Sequence, residues 1–269
     1  MKFKNNNEVE EPELQDIMTA NIEYFECNSL EEAKNYCKER DITYLPSKKK
    51  KLKVHKFNKE PGDFTEIDIQ ESQKISPYKK IFDKDCVELF KENPVLFIYE
   101  QDELKGIVHF SDYNREPVYI YLYSQILNFE KSLRKLLIRN NLRNEDMRKY
   151  FEEKCQNGST RDKKNYIDKL KNLNKNSLKS FSEFQLFYLS DLIDLLHHHK
   201  LKGKDGKKIK INKNINDNLR NCVMHSRNTI KLKDYEESVL IYNFDSFEEM
   251  FNLVLTLYEE KEKVDELNA

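Results

Sequence analysis

Apolar residues recur with different periods in the two halves of the chain. Up to about Pro117 they come in short runs separated by polar turns, the spacing of strands and brief helices. Asn28-Ser29-Leu30-Glu31-Glu32 offers a cap followed by early carboxylates, and Ala33, Tyr36 and Cys37 share one face of the helix this predicts. Asp41 to Leu45 then reads as a strand stopped by Pro46, and Lys51 to Phe57, with Leu52, Val54 and Phe57 apolar, as a second strand. The order returns further on. Ile75 to Phe82 leads into a helix from Asp83 through Val87, Leu89 and Phe90; Pro94 to Tyr99 is a buried strand, and Leu104 to Phe110 its hairpin partner across a turn at Gln101-Asp102. The two copies, each helix-strand-strand, form an internal repeat of about sixty residues.

Beyond Pro117 the period becomes helical. Ile120, Leu122, Ile126, Phe129, Leu133 and Leu136/Leu137 make one long stripe, which predicts a helix to about Arg139. Helices over Arg143 to Cys155 and Lys163 to Leu173 are separated by an Asn157-Gly158 turn. A further helix over Phe181 to Leu196, capped by Ser180 or Ser182, carries Phe184, Phe187/Tyr188, Leu192 and Leu195/Leu196 inward, and Phe247 to Tyr258 predicts a closing helix. Ile215, Leu219, Cys222/Val223 and Ile230 mark an amphipathic helix around Leu219 to Asn228. The expected organisation is a fraying terminus over 1–13, an α+β module over 14–117 and an all-α bundle over 118–269.

Length agrees with two cores, since 269 residues exceed one typical domain, and 16 Phe and 15 Tyr supply apolar bulk despite the high charge. A net charge of −1 excludes a uniformly basic coat for nucleic acid. Charge is local instead: between Lys200 and Lys233 lysines and arginines greatly outnumber Asp205 and Asp217. Five cysteines without a C-x-x-C spacing, and no apolar window of bilayer length, predict reduced thiols in a cytoplasmic protein with no membrane partner. His197-His198-His199 is no metal site on a regular helix, because neighbouring side chains diverge by about 100°; the helix macrodipole accounts for imidazoles at a C-terminus.

The candidate chemistry sits at Arg220-Asn221-Cys222-Val223-Met224-His225. His225 has a pKa suited to proton transfer near neutrality, whereas Arg220 keeps its proton and can only clamp and stabilise an anion. On a regular helix Asn221 and His225 lie about 40° apart, but Arg220 and His225 about 140° apart. One helix is therefore a poor site, and two helices meeting across a two-fold axis would complete it. Arg220-Asn221-x-x-x-His225 resembles the R-N-x-x-x-H motif of HEPN domains, a helical family that includes metal-independent ribonucleases. The resemblance implies a homodimeric endoribonuclease that needs no cofactor for catalysis and leaves 2′,3′-cyclic phosphate and 5′-hydroxyl ends. Arg220 would hold the scissile phosphate, His225 act as general base or acid, and Asn221 orient one or the other. Lys204, Lys207, Lys208, Lys210 and Arg227 would grip the RNA backbone.

The first half resembles a tandem pair of CBS domains, a nucleotide-sensing module. The residues that carry this are Met18-Thr19, Ser29-Leu30-Glu31-Glu32-Ala33 and Leu45-Pro46 in the first copy, and Gly106-Ile107-Val108-His109-Phe110-Ser111-Asp112 in the second. The likeness implies that Asp112, with Ser111 beside it, holds the ribose of an adenine-type nucleotide. His109 departs from the Thr or Ser common there, and the region from Val54 to Asn58 lacks the glycine and the aspartate, so the first copy's site reads as degenerate. Together the halves predict a toxin or antiviral-defence effector regulated by a nucleotide, with RNA as substrate and an antitoxin as a further partner. The alternative is a non-catalytic, nucleotide-dependent adaptor whose HEPN-like domain binds without cleaving.

Overall fold

In the first half, capping chemistry sets where the first long helix begins. The Ser29 hydroxyl accepts from the Glu32 N–H at 3.3 Å and the Glu32 carboxylate from the Ser29 N–H at 2.8 Å, a reciprocal capping box. The computed structural model describes residues 9–27, 29–157, 160–175, 182–203, 205–224 and 247–269. The chain divides into two compact units: residues 9–121 with 247–251, and residues 122–224 with 252–269, among those described.

The first unit has the element order α1 (Leu14–Ile17), α2 (Leu30–Arg40), β1 (Tyr44–Pro46), β2 (Lys53–Asn58), β3 (Asp63–Asp68), β4 (Lys74–Ile75), α3 (Lys84–Glu92), β5 (Val95–Glu100) and β6 (Glu103–His109). The expected hairpin of β5 and β6 forms, and the two strands expected in the first copy, β1 and β2, also pair, each antiparallel. The expectation of two equivalent copies is corrected by the third strand of each sheet. In the first sheet β3 follows the hairpin and runs antiparallel to β2, with Val54 opposite Ile67. In the second β4 precedes the helix and runs parallel to β5, with Ile75 opposite Ile98.

Strand β3 was not expected because Asp63, Glu66 and Asp68 hide its alternation. Gly62, at φ +84°, makes the reversal that precedes it, and Lys50–Glu66 and Lys53–Asp68 ion pairs, both at 2.7 Å, neutralise its acids. Strand β5, Val-Leu-Phe-Ile-Tyr-Glu, is buried over its first four residues, the apolar run of a strand covered on both faces. Val54, Ile69, Val95 and Phe97 form one cluster that joins the two sheets, with Ile107 and Tyr99 packed against it. A second cluster, Ala33, Cys37, Leu45 and Phe57, places α2 on the first sheet.

The second unit is helical. Helix α4 (Glu116–Arg139) continues into it and buries Leu122, Ile126, Phe129, Leu133, Leu136 and Leu137 of the predicted stripe, while Ile120, expected to begin it, is exposed. It is followed by α5 (Asn144–Asn157), α6 (Thr160–Lys175), α7 (Leu189–His198), α8 (Asn221–Met224) and α9 (Phe247–Asn268). The helix expected over Phe181 to Leu196 begins only at Leu189, and Ser182 does not cap it. The reason lies upstream: Phe184 takes φ +62° and gives its N–H to Asn144 at 2.7 Å, so the chain turns there, with Phe184 and Phe187 buried. Tyr188 then enters the helix, its N–H donating to Asp191 at 3.2 Å. Ser180 lies outside the described residues. At the other end α9 runs ten residues past the expected Tyr258, to Asn268, burying Val264.

Candidate functional site

Arg220 ends a π-helical stretch, Ile215–Arg220, that continues directly into α8. Ile215, Leu219, Cys222 and Val223 are buried, as the predicted inward face requires, while Ile230 and the expected helix beyond Met224 lie outside the described residues; the turn is wider than the regular α-helix assumed from the spacing. Such wide turns occur often where a side chain must be re-aimed. Anchors on both sides hold the stretch: Lys213 reaches Asp194 of α7 at 2.5 Å, and Asn221 donates to the Asp217 carbonyl at 3.1 Å.

The Arg220 guanidinium lies over the Tyr188 ring, 5.5 Å from its centre, and gives one N–H to the Asn221 side-chain oxygen at 3.3 Å. Its Nε–H is buried without a hydrogen-bond partner, and among the described residues no carboxylate stands within ion-pair distance of it. A buried unsatisfied donor costs about 1–3 kcal/mol, more on a charged group. The structure therefore places Arg220 and Asn221 together. His225 and Arg227 lie outside the described residues, as does Lys204. Lys207, Lys208 and Lys210 are exposed, and the Gly203 N–H meets the Lys207 carbonyl at 2.8 Å. Tyr188, 62% exposed, is a residue that sequence reasoning took for part of a core stripe; no local signal distinguishes an aromatic at a helix entrance from one inside.

In the first unit, Ser111 and Asp112 fall on a 3₁₀ turn, Phe110–Asn114, whose entrance they organise. Asp112 accepts the His109 N–H at 2.7 Å through one oxygen and pairs with Arg115 at 2.8 Å through the other. The Ser111 hydroxyl lies 2.6 Å from His109 Nδ1. Burial pushes the Asp112 carboxyl above the usual carboxylate range, against the pull of the His109 N–H and the Arg115 cation, and burial pushes the His109 imidazole down. Arg115, which the sequence reading passed over, also donates to the Met18 carbonyl at 2.9 Å and the Thr19 hydroxyl at 2.8 Å. It thereby brings Met18-Thr19 and Asp112 to one place. Both Asp112 oxygens are occupied by these groups, so a ribose diol would have to exchange with Arg115.

The second unit also holds a polar cavity of about 430 Å³ that no motif marked. Tyr150 and Lys154 line it from α5, Tyr166 from α6, Asp194, His197 and His198 from α7, and Lys213 from the segment leading to the π-helix. The histidine run is thus split by role. His197 Nε2 accepts the Ile211 N–H at 3.0 Å, His198 faces Glu153 at 3.4 Å, and His199 caps the helix. Among the described residues no three His, Cys, Asp or Glu side chains converge as a metal-binding group, and no helix is long and apolar enough to cross a membrane.

No protein-family model matches the chain, and neither does any curated protein. Among solved structures it is similar to the crystal structure of a hexameric CBS-CP12 protein from bloom-forming cyanobacteria, with 14% identity over 62% of this chain and 96% of that one. The TM-score is 0.33, at which the likeness establishes neither fold nor function for this chain.

Proposed function

We propose that this protein is a metal-independent endoribonuclease of HEPN type whose activity is governed by an adenine-type nucleotide at a CBS-like module in its first half. One observation carries the reading: Arg220 is a half-buried cation with a buried N–H left without a partner and no carboxylate beside it among the described residues. Proteins rarely retain such a group unless an anion completes it, and a planar guanidinium matches a phosphate in two directions.

In the proposed reaction Arg220 holds the scissile phosphodiester and stabilises the charge that grows on its oxygens. One His225 takes the proton of the RNA 2′-hydroxyl; the 2′-oxygen bonds to phosphorus as the bond to the 5′-oxygen breaks. The leaving 5′-oxygen takes a proton from a second histidine, the counterpart in a dimer, giving a 2′,3′-cyclic phosphate and a 5′-hydroxyl. Asn221, already hydrogen-bonded to Arg220, fixes the guanidinium's direction. Lys207, Lys208 and Lys210, with Lys204 and Arg227, supply backbone contacts.

Regulation follows from exchange at Asp112. A nucleotide that drew Asp112 from Arg115 would release Arg115 from the Met18-Thr19 segment too, since one side chain holds all three. Such a ligand shifts the protein only by its differential affinity for the two arrangements. A toxin or antiviral effector held by a nucleotide, and by an antitoxin, is the setting this suggests.

The test is cleavage of end-labelled RNA in EDTA by the full chain, by Arg220→Ala and by His225→Ala, with and without AMP, ATP or cyclic adenylates. Persistent cleavage by the native chain, lost in both variants, supports the reading. Cleavage only with added metal, or equal cleavage by the variants, overturns it, and nucleotide-dependent binding without cleavage would leave an adaptor.

A further inference from the structure

The polar cavity of the second unit is not used by the proposed cleavage chemistry, and its lining is unusual in composition. Four separate segments each send a hydrogen-bonding end into it, and Lys154 has no carboxylate within ion-pair distance among the described residues. Its ammonium lies over the Tyr150 ring, 5.5 Å from the centre, which positions the charge without neutralising it. Lys213 spends one of its three donors on Asp194 at 2.5 Å and keeps two. Asp194 is the only acid in the lining and is already matched by that lysine, so the cavity has no free acceptor set for a cation.

The neutral groups point the same way. The Tyr150 and Tyr166 rings meet edge to face at 6.2 Å, and both residues line the cavity. Burial holds the Tyr150 hydroxyl far above the usual phenol range, so it stays a donor. His197 is held down by burial and by the Lys213 charge, while Asp194 pulls the other way and Lys210 adds to the first. The site thus offers two ammonium groups, a phenol and an imidazole converging from different directions, a donor arrangement suited to a tetrahedral, multiply charged anion.

We propose that this cavity binds a phosphate group through Lys154, Lys213 and the tyrosines Tyr150 and Tyr166 that line it. At about 430 Å³ it exceeds what a bare phosphate fills, so the group arrives attached to a nucleoside, either as a mononucleotide or within an RNA strand.

The experiment is isothermal titration of the full chain with inorganic phosphate, AMP and a 2′-O-methyl trinucleotide that cannot be cleaved. Each is repeated on Lys154→Ala, Tyr166→Phe, Arg220→Ala and Asp112→Asn. The cavity is expected to contribute one site per chain, separate from any at Asp112 or Arg220, weakened about tenfold by Lys154→Ala, the loss of one charge-assisted contact, with an unchanged thermal midpoint. Tyr166→Phe weakens it less, and Arg220→Ala and Asp112→Asn leave it intact. AMP binding that Lys154→Ala weakens and Asp112→Asn leaves in place assigns the mononucleotide source, and trinucleotide binding that alone shows this dependence on Lys154 assigns an RNA strand. The proposal is overturned if none of the three binds in the millimolar range, or if Lys154→Ala leaves binding unchanged. It is equally overturned if Arg220→Ala or Asp112→Asn removes all binding, since the phosphate then sits elsewhere. Loss of RNA cleavage in Arg220→Ala is a separate readout, so the two readings fail independently.

Discussion

Arg220 stands with its guanidinium carbon 5.5 Å from the centre of the Tyr188 ring, and Tyr188 in turn is 62% exposed. One face of an exposed aromatic therefore positions the only arginine of the π-helical stretch, while the rest of the ring meets solvent. A cation over an exposed ring is worth about 0.5–1 kcal/mol. Tyr188→Phe should keep the geometry and the cleavage rate, whereas Tyr188→Ala should lower single-turnover cleavage several-fold. Equal rates for native and Tyr188→Ala protein would show that the ring positions nothing.

Arg220→Met offers a stability test independent of RNA. It keeps the aliphatic stem and removes a buried donor that lacks a partner, so urea unfolding should show a change between about zero and 1 kcal/mol toward greater stability. A loss above about 2 kcal/mol would mean that the arginine is a structural element of the fold.

Arg134 shows the opposite case. It pairs with the buried Glu130 at 3.0 Å and donates to the Phe184 and Phe187 carbonyls, each at 3.2 Å, bracing the turn before α7. Arg134→Ala leaves an uncompensated buried carboxylate and should cost about 3–5 kcal/mol in chemical denaturation. Replacing both by Met and Leu should recover most of that.

Gly106 lies on β6 opposite Ile98, and a methyl group there would overlap the Met18 side chain. Thr19 and Ile107 exchange backbone hydrogen bonds at 2.8 and 3.1 Å, so the two segments cannot easily separate. Gly106→Ala should cost about 1–3 kcal/mol, the range for overpacking, and Met18→Ala in the same chain should relieve it. A thermal shift series on the two single variants and the double reads the coupling.

Among the depressed carboxyls of the first unit, which include Glu32, Glu66, Asp83 and Glu103, Glu26 is shifted far enough to define a pH window. Burial opposes ionisation of Glu26, but the Ser47 hydroxyl and the Lys48 N–H, the latter at 2.8 Å, outweigh it and hold the carboxyl at about 2. A carboxyl depressed on folding contributes stability above its unfolded pKa and loses that contribution as pH falls toward the folded value. The loss should therefore run from about 4.5 down to about 2. Denaturation midpoints measured across that window should flatten in Glu26→Gln; an unchanged slope would assign the acid sensitivity to other groups.

Much of the architecture was readable from periodicity and caps. The α4 stripe from Leu122 to Leu137, the Ser29 cap and the β5–β6 hairpin each depend on residues a few positions apart, and local rules describe such contacts well. Misreadings share a cause as well. Strand β3 carries its apolar residues between acids that only its neighbours Lys50 and Lys53 neutralise, and α7 starts late because Asn144, forty residues earlier, captures the Phe184 N–H. The candidate motif was visible as residue types, but its surroundings were not.

From its amino-acid order alone this chain specifies an α+β half, a helical half, and a segment in which Arg220 and Asn221 adjoin, because helix stripes, strand runs and caps are written in short-range spacing. Tertiary structure decided what those side chains meet: that Arg220 rests on Tyr188 with one donor unmet, that Arg115 ties Asp112 to Met18 and Thr19, and that His198 shares a cavity with Tyr150 and Lys213. Those contacts join residues distant in sequence, and their energy depends on burial and direction, quantities that exist only once the chain has closed on itself.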